Sequence, residues 1–225
     1  MADAAALLLA LQFADSAFPA GGFAFSWGLE GLVADGLVTD ADDVADVVAQ
    51  QLTLRWQSMD RVLLVRAHAA NDAATQVAVD RLAEAVTFSA PMRAGSRRAG
   101  RALLGVCARL GLPAATAYQA LAADDARLGH LAVVQGIVYR AAGMTCPMAE
   151  LVSGWSLISG FSSAAVRLGV IGHVEALRIT TALRAALADL LAAPARPAEL
   201  PASFTPLADI AVMRNHRRDL RMFAT

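Results

Sequence analysis

The stretch that decides the fold is LVSGWSLISGFSSAAVRL, residues 151–168. Drawn as a helix, it carries apolar side chains on two faces, one with Leu151, Trp155, Ile158 and Ala165 and the other with Leu157, Phe161, Ala164 and Leu168. A helix that is apolar on nearly all sides is buried in a protein core. The interspersed Ser and Gly residues let neighbouring helices approach closely. We therefore predict a largely buried, Ser/Gly-rich central helix.

Helical periodicity also dominates the rest of the chain, and no convincing run of alternating strand residues is present. The clearest stripe is Val44, Val48, Leu52 and Trp56, in a helix that either Thr39 or Asp40 can cap. We predict an all-α protein with one compact multi-helix domain over residues 1–192. We further predict a Pro-rich linker over 193–206 and a flexible, partner-binding C-terminal tail over 207–225.

The apolar content raises the question of a membrane. The hydrophobic fraction of 57% exceeds the roughly 45–50% of an average soluble domain. A spanning helix needs about 20 apolar residues, and the charge-free stretch 151–166 is shorter and rich in Ser. The apolar N-terminus also lacks the basic start of a signal peptide, since the first Arg is Arg55. We expect a cytoplasmic chain with no membrane span; a secreted or membrane-associated helical protein remains the alternative.

The sequence lacks the motifs of the common catalytic sites. It has no Lys, no phosphate-binding glycine loop and no metalloprotease motif, and Cys107 and Cys146 form no disulfide pattern. Its four His are scattered, without metal-ligand spacing. The net charge of −1 gives no nucleic-acid footprint. We predict no catalytic residues, no cofactor, no metal site and no nucleic-acid partner. A helical enzyme with an unrecognised site remains possible.

Three segments have the composition of interaction surfaces. The loop 16–28 places aromatic residues among glycines, which suits either a loop folded onto the core or a binding loop. The C-terminus combines arginines with Phe223, as in a frayed end or a segment that orders on a partner. The third is a basic helix face, which is either solvated or docks an acidic partner. Its residues are Arg93, Arg97, Arg98 and Arg101.

Four ordered motifs resemble the UreF family of urease accessory proteins. They are LLALQFADSAFPAGGFAFSWGLEG at 8–31, the spaced His130, Val133 and Gly136, SAAVRLG at 163–169, and the terminal set Pro206 to Ile210, Met213-Arg214 and Arg221-Met222-Phe223. Two departures stand at the end: Asn215-His216 replaces the family's His-Glu, and Ala224 replaces an Arg. The resemblance covers the chain from end to end.

The resemblance implies an all-helical, dimeric, non-enzymatic adaptor. Such a protein bridges the UreD/UreH accessory protein and the GTPase UreG on apo-urease, where nickel is delivered as GTP is hydrolysed; regulation of that hydrolysis is an open point. The partner-binding residues expected on this basis are Gly21, Gly22, Phe23, Phe25, Trp27, Glu30, Arg167, Arg214, Arg221 and Phe223. We further expect Phe223 to become buried only on a partner, and the fold to survive removal of 214–225.

Overall fold

The structure, a computed structural model, describes residues 3–18, 25–215 and 222–223. The helices of the first half are α1 (Ala4–Ala14), α2 (Leu29–Ala34), α3 (Ala41–Gln51), a π-helical segment (Leu52–Asp60), α4 (Arg61–Ala69), α5 (Ala73–Val86) and α6 (Ala90–Arg109). Those of the second half are α7 (Pro113–Asp124), α8 (Leu131–Ala141), α9 (Cys146–Arg167), α10 (His173–Ala192) and α11 (Pro206–Asn215). The described residues contain no strand, and the predicted all-α, single-domain fold is confirmed.

Helix α3, the π-helical segment and α4 form one continuous rod. Asp40 caps its start by accepting hydrogen bonds of 3.0 Å from the amides of Asp42 and Asp43. The predicted stripe of Val44, Val48, Leu52 and Trp56 is confirmed, since all four side chains are buried. A strict four-residue stripe drifts by about 40° per step around an α-helix. The wider turn of the π-helical segment offsets this drift and keeps Trp56 facing inward.

Helix α9 connects the two hydrophobic clusters of the fold. Its N-terminal half, with Val152, packs into a cluster built around α4, α6, α7 and α8, while Ile158 and Phe161 pack into a second cluster with α2, α3 and α10. The prediction of a central, largely buried helix is therefore confirmed. Trp155 is half-buried against the second cluster.

The inward position predicted for Leu151 is wrong, because its side chain is 43% exposed. The neighbouring polar residues occupy the buried face instead. Glu150 pairs with the buried Arg61 at 2.5 Å, and Ser153 accepts from the Trp56 indole at 3.1 Å. Buried polar groups are stable when they are paired, and an apolar stripe drawn from the sequence cannot show such partners.

The predicted linker 193–206 lies along the rod. The amides of Ala202 and Phe204 donate to the carbonyls of Ser58 and Leu54 at 3.1 and 2.9 Å. Arg66 donates to the carbonyls of Pro197 and Glu199 at 2.5 and 2.6 Å. These hydrogen bonds hold the linker on the rod. The linker leads into α11, which packs on α2. The division into domain, linker and tail stays a prediction, but the linker is bonded to the domain.

We predict that the packing of α8 on α4 does not tolerate a methyl group at Gly136. A Cβ there would collide with the Leu64 carbonyl and lie 2.8 Å from Ala67 Cβ. Gly136→Ala should therefore lower the free energy of unfolding by about 1–3 kcal/mol, because backbone must shift to relieve the overlap. Urea unfolding followed by circular dichroism measures this change.

Gly105→Ala in α6 is the matched control. Its Cβ would lie 3.7 Å from the Gln119 side chain, an ordinary contact. The better helix propensity of Ala should raise the free energy of unfolding by about 0.5–1 kcal/mol. Equal effects of the two substitutions would contradict the close packing assigned to Gly136.

Candidate functional site at the Glu30 carboxylate

The carboxylate of Glu30 binds the C-terminal end of the chain. Glu30 lies in α2 and is 8% exposed. Its Oε2 accepts from the Asn215 side-chain amide at 2.9 Å and from the Phe223 amide at 3.3 Å, and its Oε1 accepts from the Met222 amide at 2.5 Å. Hydrogen bonds to an ionised group are stronger than neutral ones. We call Glu30, Arg167, Asn215, Met222 and Phe223 the Glu30 site.

Phe223 completes this site from the apolar side. Its ring is 4% exposed and packs into the second hydrophobic cluster. The Arg167 guanidinium lies 4.2 Å from the ring centroid, within cation–π range. The structure thus brings together three residues that the sequence singled out far apart in the chain: Glu30, Arg167 and Phe223.

Burial of Phe223 within the chain corrects two expectations. The ring was expected to become buried only on a partner, and the expectation that the fold survives removal of 214–225 placed these residues outside the core. Both placements are wrong for Phe223, because its amide donates to a carboxylate and its ring packs in an apolar site within the same molecule. A short segment with too little apolar surface to fold alone can still dock on its own domain.

Helix α11 reaches Glu30 because two glycines of the α2 region allow close approach. A Cβ on Gly31 would lie 2.5 Å from the Ala211 carbonyl, and one on Gly28 would lie 2.9 Å from the Ala208 carbonyl. The contact places Asn215, the last residue of α11, at the carboxylate. In the sequence, Asn215 stands out only as a departure from the family pattern. A buried Glu in a Gly-Leu-Glu motif needs hydrogen-bond donors. That requirement was the signal in the sequence that could have pointed to Asn215.

Arg214, next to Asn215, points outward. Its side chain is mostly exposed and lies 3.5 Å from the Asp35 carboxylate. Surface ion pairs of this kind contribute little to stability, about 0–1 kcal/mol. Arg214 is therefore accessible to another molecule at the edge of the Glu30 site.

The described end of the aromatic loop is folded onto the domain. Phe25 is buried and stacks on Trp27 with ring centroids 5.4 Å apart. Arg55 lies 5.0 Å from the Trp27 ring centroid, and Arg98 lies 5.7 Å from that of Phe25. Gly21, Gly22, Phe23 and Arg221 lie outside the described residues. Partner binding by any residue of the predicted set stays a prediction.

The basic face of α6 is engaged within the chain. Arg93 lies 3.3 Å from the Glu84 carboxylate, and Arg97 is in closer contact with the same group. Arg101 donates to the Leu128 carbonyl at 3.0 and 3.1 Å. These partners favour a structural role for this face over docking of an acidic molecule.

The titratable groups at the start of α8 also hold the fold. Asp80 accepts from the Tyr118 hydroxyl at 2.8 Å and from the amides of Gly129 and His130 at 2.5 and 3.0 Å. Burial raises the pKa of Asp80 and lowers the pKa of His130, whose ring contacts Glu84 at 2.8 Å. Within the described residues, no three His, Cys, Asp or Glu side chains are grouped to hold a metal ion.

We predict that neutralising Glu30 weakens attachment of the chain end. In Glu30→Gln one carboxylate oxygen becomes an NH2 group, which cannot accept from the amides it faces. The free energy of unfolding should fall by about 1–3 kcal/mol, measured by urea unfolding. Glu199→Gln, at an exposed surface ion pair, is the control and should change stability by less than about 0.5 kcal/mol.

We predict that Met222 and Phe223, which are neighbours at the chain end, contribute very differently to stability. Phe223→Ala should cost about 1.5–3 kcal/mol, because it removes a buried ring. Met222→Ala should be nearly neutral, because Met222 is 56% exposed. Thermal unfolding of both variants is the measurement. Equal melting temperatures would show that Phe223 is not packed.

Known proteins resemble this chain over nearly its full length. The UreF family profile matches residues 38–184. A urease accessory protein UreF of Rhizobium leguminosarum bv. viciae is 33% identical over 97% of this chain and 96% of its own length. The UreF protein of Mycobacterium sp. (strain JLS) is 32% identical over 96% and 97%, and that of Trichodesmium erythraeum is 29% identical over 99% and 98%. The chain belongs to the UreF family of urease accessory proteins.

Proposed function

We propose that this chain is a non-enzymatic adaptor that recruits the GTPase UreG to UreD/UreH and apo-urease for nickel insertion. The observation that supports this proposal most is the Glu30 site, where α2 and the chain end meet at one surface. A surface composed of distant segments has a defined shape only in the folded chain. It therefore suits recognition of the folded adaptor by other proteins.

The segments that meet at Glu30 carry exposed apolar side chains. Leu207 and Ile210 on α11 are 60% and 41% exposed, and Met222 in the chain-end segment is 56% exposed. Apolar side chains at such positions suit burial against another protein. Arg214 adds a charged donor at the edge. We propose that UreD/UreH or UreG contacts this region.

The enzyme alternative has less support. Asp80 and His130, whose pKa values are shifted by burial, use their polar atoms to hold α8. A general acid or base needs access to substrate.

The proposal also includes a cytoplasmic location, which keeps the free thiols Cys107 and Cys146 reduced. A homodimer would present paired surfaces to a dimeric GTPase.

Among the described residues, no helix combines the length and the apolar character needed to cross a bilayer. A role in regulating GTP hydrolysis stays open within the proposal.

The test is assembly of the accessory complex from purified proteins. Arg221→Ala should reduce both UreG retention and urease activation, because Arg221 occupies a position of the family's terminal motif. Arg217→Ala, four residues earlier and outside that motif, is the matched control and should assemble normally. Circular dichroism verifies that both variants fold. Normal assembly and activation by Arg221→Ala would contradict a partner-binding role for the chain end.

A further inference from the structure

An apolar groove of about 350 Å³ is lined by α3, the π-helical segment, the end of the linker 193–206 and the start of α11. Four large apolar side chains of its walls are left exposed to solvent. They are Leu37, Leu54, Phe204 and Leu207, and Phe204 is the most exposed of them at 74%. The buried Leu32 and Val38 line the same groove. Exposed apolar side chains gathered around one concave surface suit burial against another molecule.

Hydrogen bonds within the chain hold the walls of this groove. The Phe204 amide donates to the Leu54 carbonyl at 2.9 Å, and the Ala202 amide donates to the Ser58 carbonyl at 3.1 Å. On the other wall, Asp40 caps the start of α3. The groove is therefore formed in the free chain, and the backbone bond of Phe204 fixes the position of its exposed ring. A partner that binds here orders little new structure, which lowers the cost of association.

Among the described residues, the charged side chains that line the groove are the acidic Asp43 and Asp46. The sequence from Gly36 to Leu54 carries four Asp and no basic residue. Asp46 is exposed and makes no hydrogen bond or ion pair within the described part of the chain. Thr39 donates to Asp43 from its amide at 2.8 Å and from its hydroxyl at 3.0 Å, and these bonds lower the pKa of Asp43. This wall is therefore negatively charged at neutral pH.

The charge and the backbone of the walls indicate what the groove can bind. A second copy that presented the same face would oppose Asp to Asp, which is unfavourable, and the phosphates of a nucleic acid would be repelled in the same way. An extended peptide binds through free backbone groups, but α3 pairs its own, and the Ala202 and Phe204 amides already donate to the rod. An amphipathic helix pairs its own backbone groups and docks through apolar side chains at i and i+3 or i+4. Lys or Arg on such a helix would complement the acidic wall.

We propose that this groove binds a basic amphipathic helix of a partner protein. The apolar side chains of that helix pack between Leu54, Phe204 and Leu207. Its Lys or Arg side chains pair with Asp43 and Asp46. At roughly 30 Å³ per water, the groove holds about ten water-sized groups, which corresponds to two or three apolar side chains. This inference rests on the proposed adaptor function and adds to it a surface and the chemistry of the partner segment that the surface fits.

The test is the affinity of the full chain for UreD/UreH, and then for UreG added to that complex, measured by surface plasmon resonance. Phe204→Ala removes the exposed ring and should weaken one of these two binding steps by at least about tenfold. Asp46→Lys reverses an exposed charge and should weaken the same step by about tenfold at low salt and by less at high salt. The matched controls are Leu200→Ala, which is also 74% exposed in the linker, and Asp189→Lys on the exposed face of α10. Neither control residue lines the groove, and both should bind normally.

Wild-type affinity of both Phe204→Ala and Asp46→Lys would overturn the groove proposal, and weaker binding by Arg221→Ala in the same assay would leave the adaptor function standing. An effect of only one of the two groove substitutions would overturn the combination of apolar and basic contacts. If the wild-type chain bound neither accessory protein, the adaptor function itself would be wrong, and this inference with it. Loss of self-association by free Phe204→Ala in light scattering, with normal partner affinity, would show that a second copy fills the groove and would overturn the proposal. Circular dichroism verifies that each variant folds.

Discussion

The Glu30 carboxylate holds the C-terminal part of the chain on α2, and the arrangement of this region depends on it. A carboxylate in a mostly buried position is stable only when donors surround it. Here the donors come from the end of α11 and from the chain-end segment. Two glycines allow α11 to approach α2, and the linker 193–206, which is hydrogen-bonded along the rod, leads the chain to α11. Arg167 and Phe223 add a second contact on the apolar side.

This arrangement changes how partner recognition by the chain end is understood. In the account based on resemblance, a partner supplies the site that buries Phe223. In the structure, the domain itself supplies that site, and Met222 and Arg214 remain outside. A partner would then bind a surface formed before it arrives, and less ordering entropy would oppose the association. The contribution of Arg221 rests on the sequence motif.

Much of the fold was predictable because it follows from hydrophobic periodicity. The central helix and the stripe from Val44 to Trp56 were predicted correctly, and of the two predicted caps, Thr39 and Asp40, it is Asp40 that caps the helix. The π-helical segment was not, because a four-residue spacing is compatible with both helix types. Leu151 was misplaced because Glu150 and Ser153 have buried partners on other helices. Long-range polar pairing of this kind leaves no periodic signal in the sequence.

The candidate site was predictable in its parts but not in its geometry. Glu30, Arg167 and Phe223 were singled out through motifs, while their mutual contact required the fold.

The most direct test of the Glu30 site is hydrogen exchange of the Met222 and Phe223 amides in the free chain, measured by nuclear magnetic resonance. The account predicts that both amides exchange far more slowly than in an unfolded peptide, because both donate to Glu30. Exchange of both at the unprotected rate would contradict it and would mean that the chain end is not held on α2 without a partner.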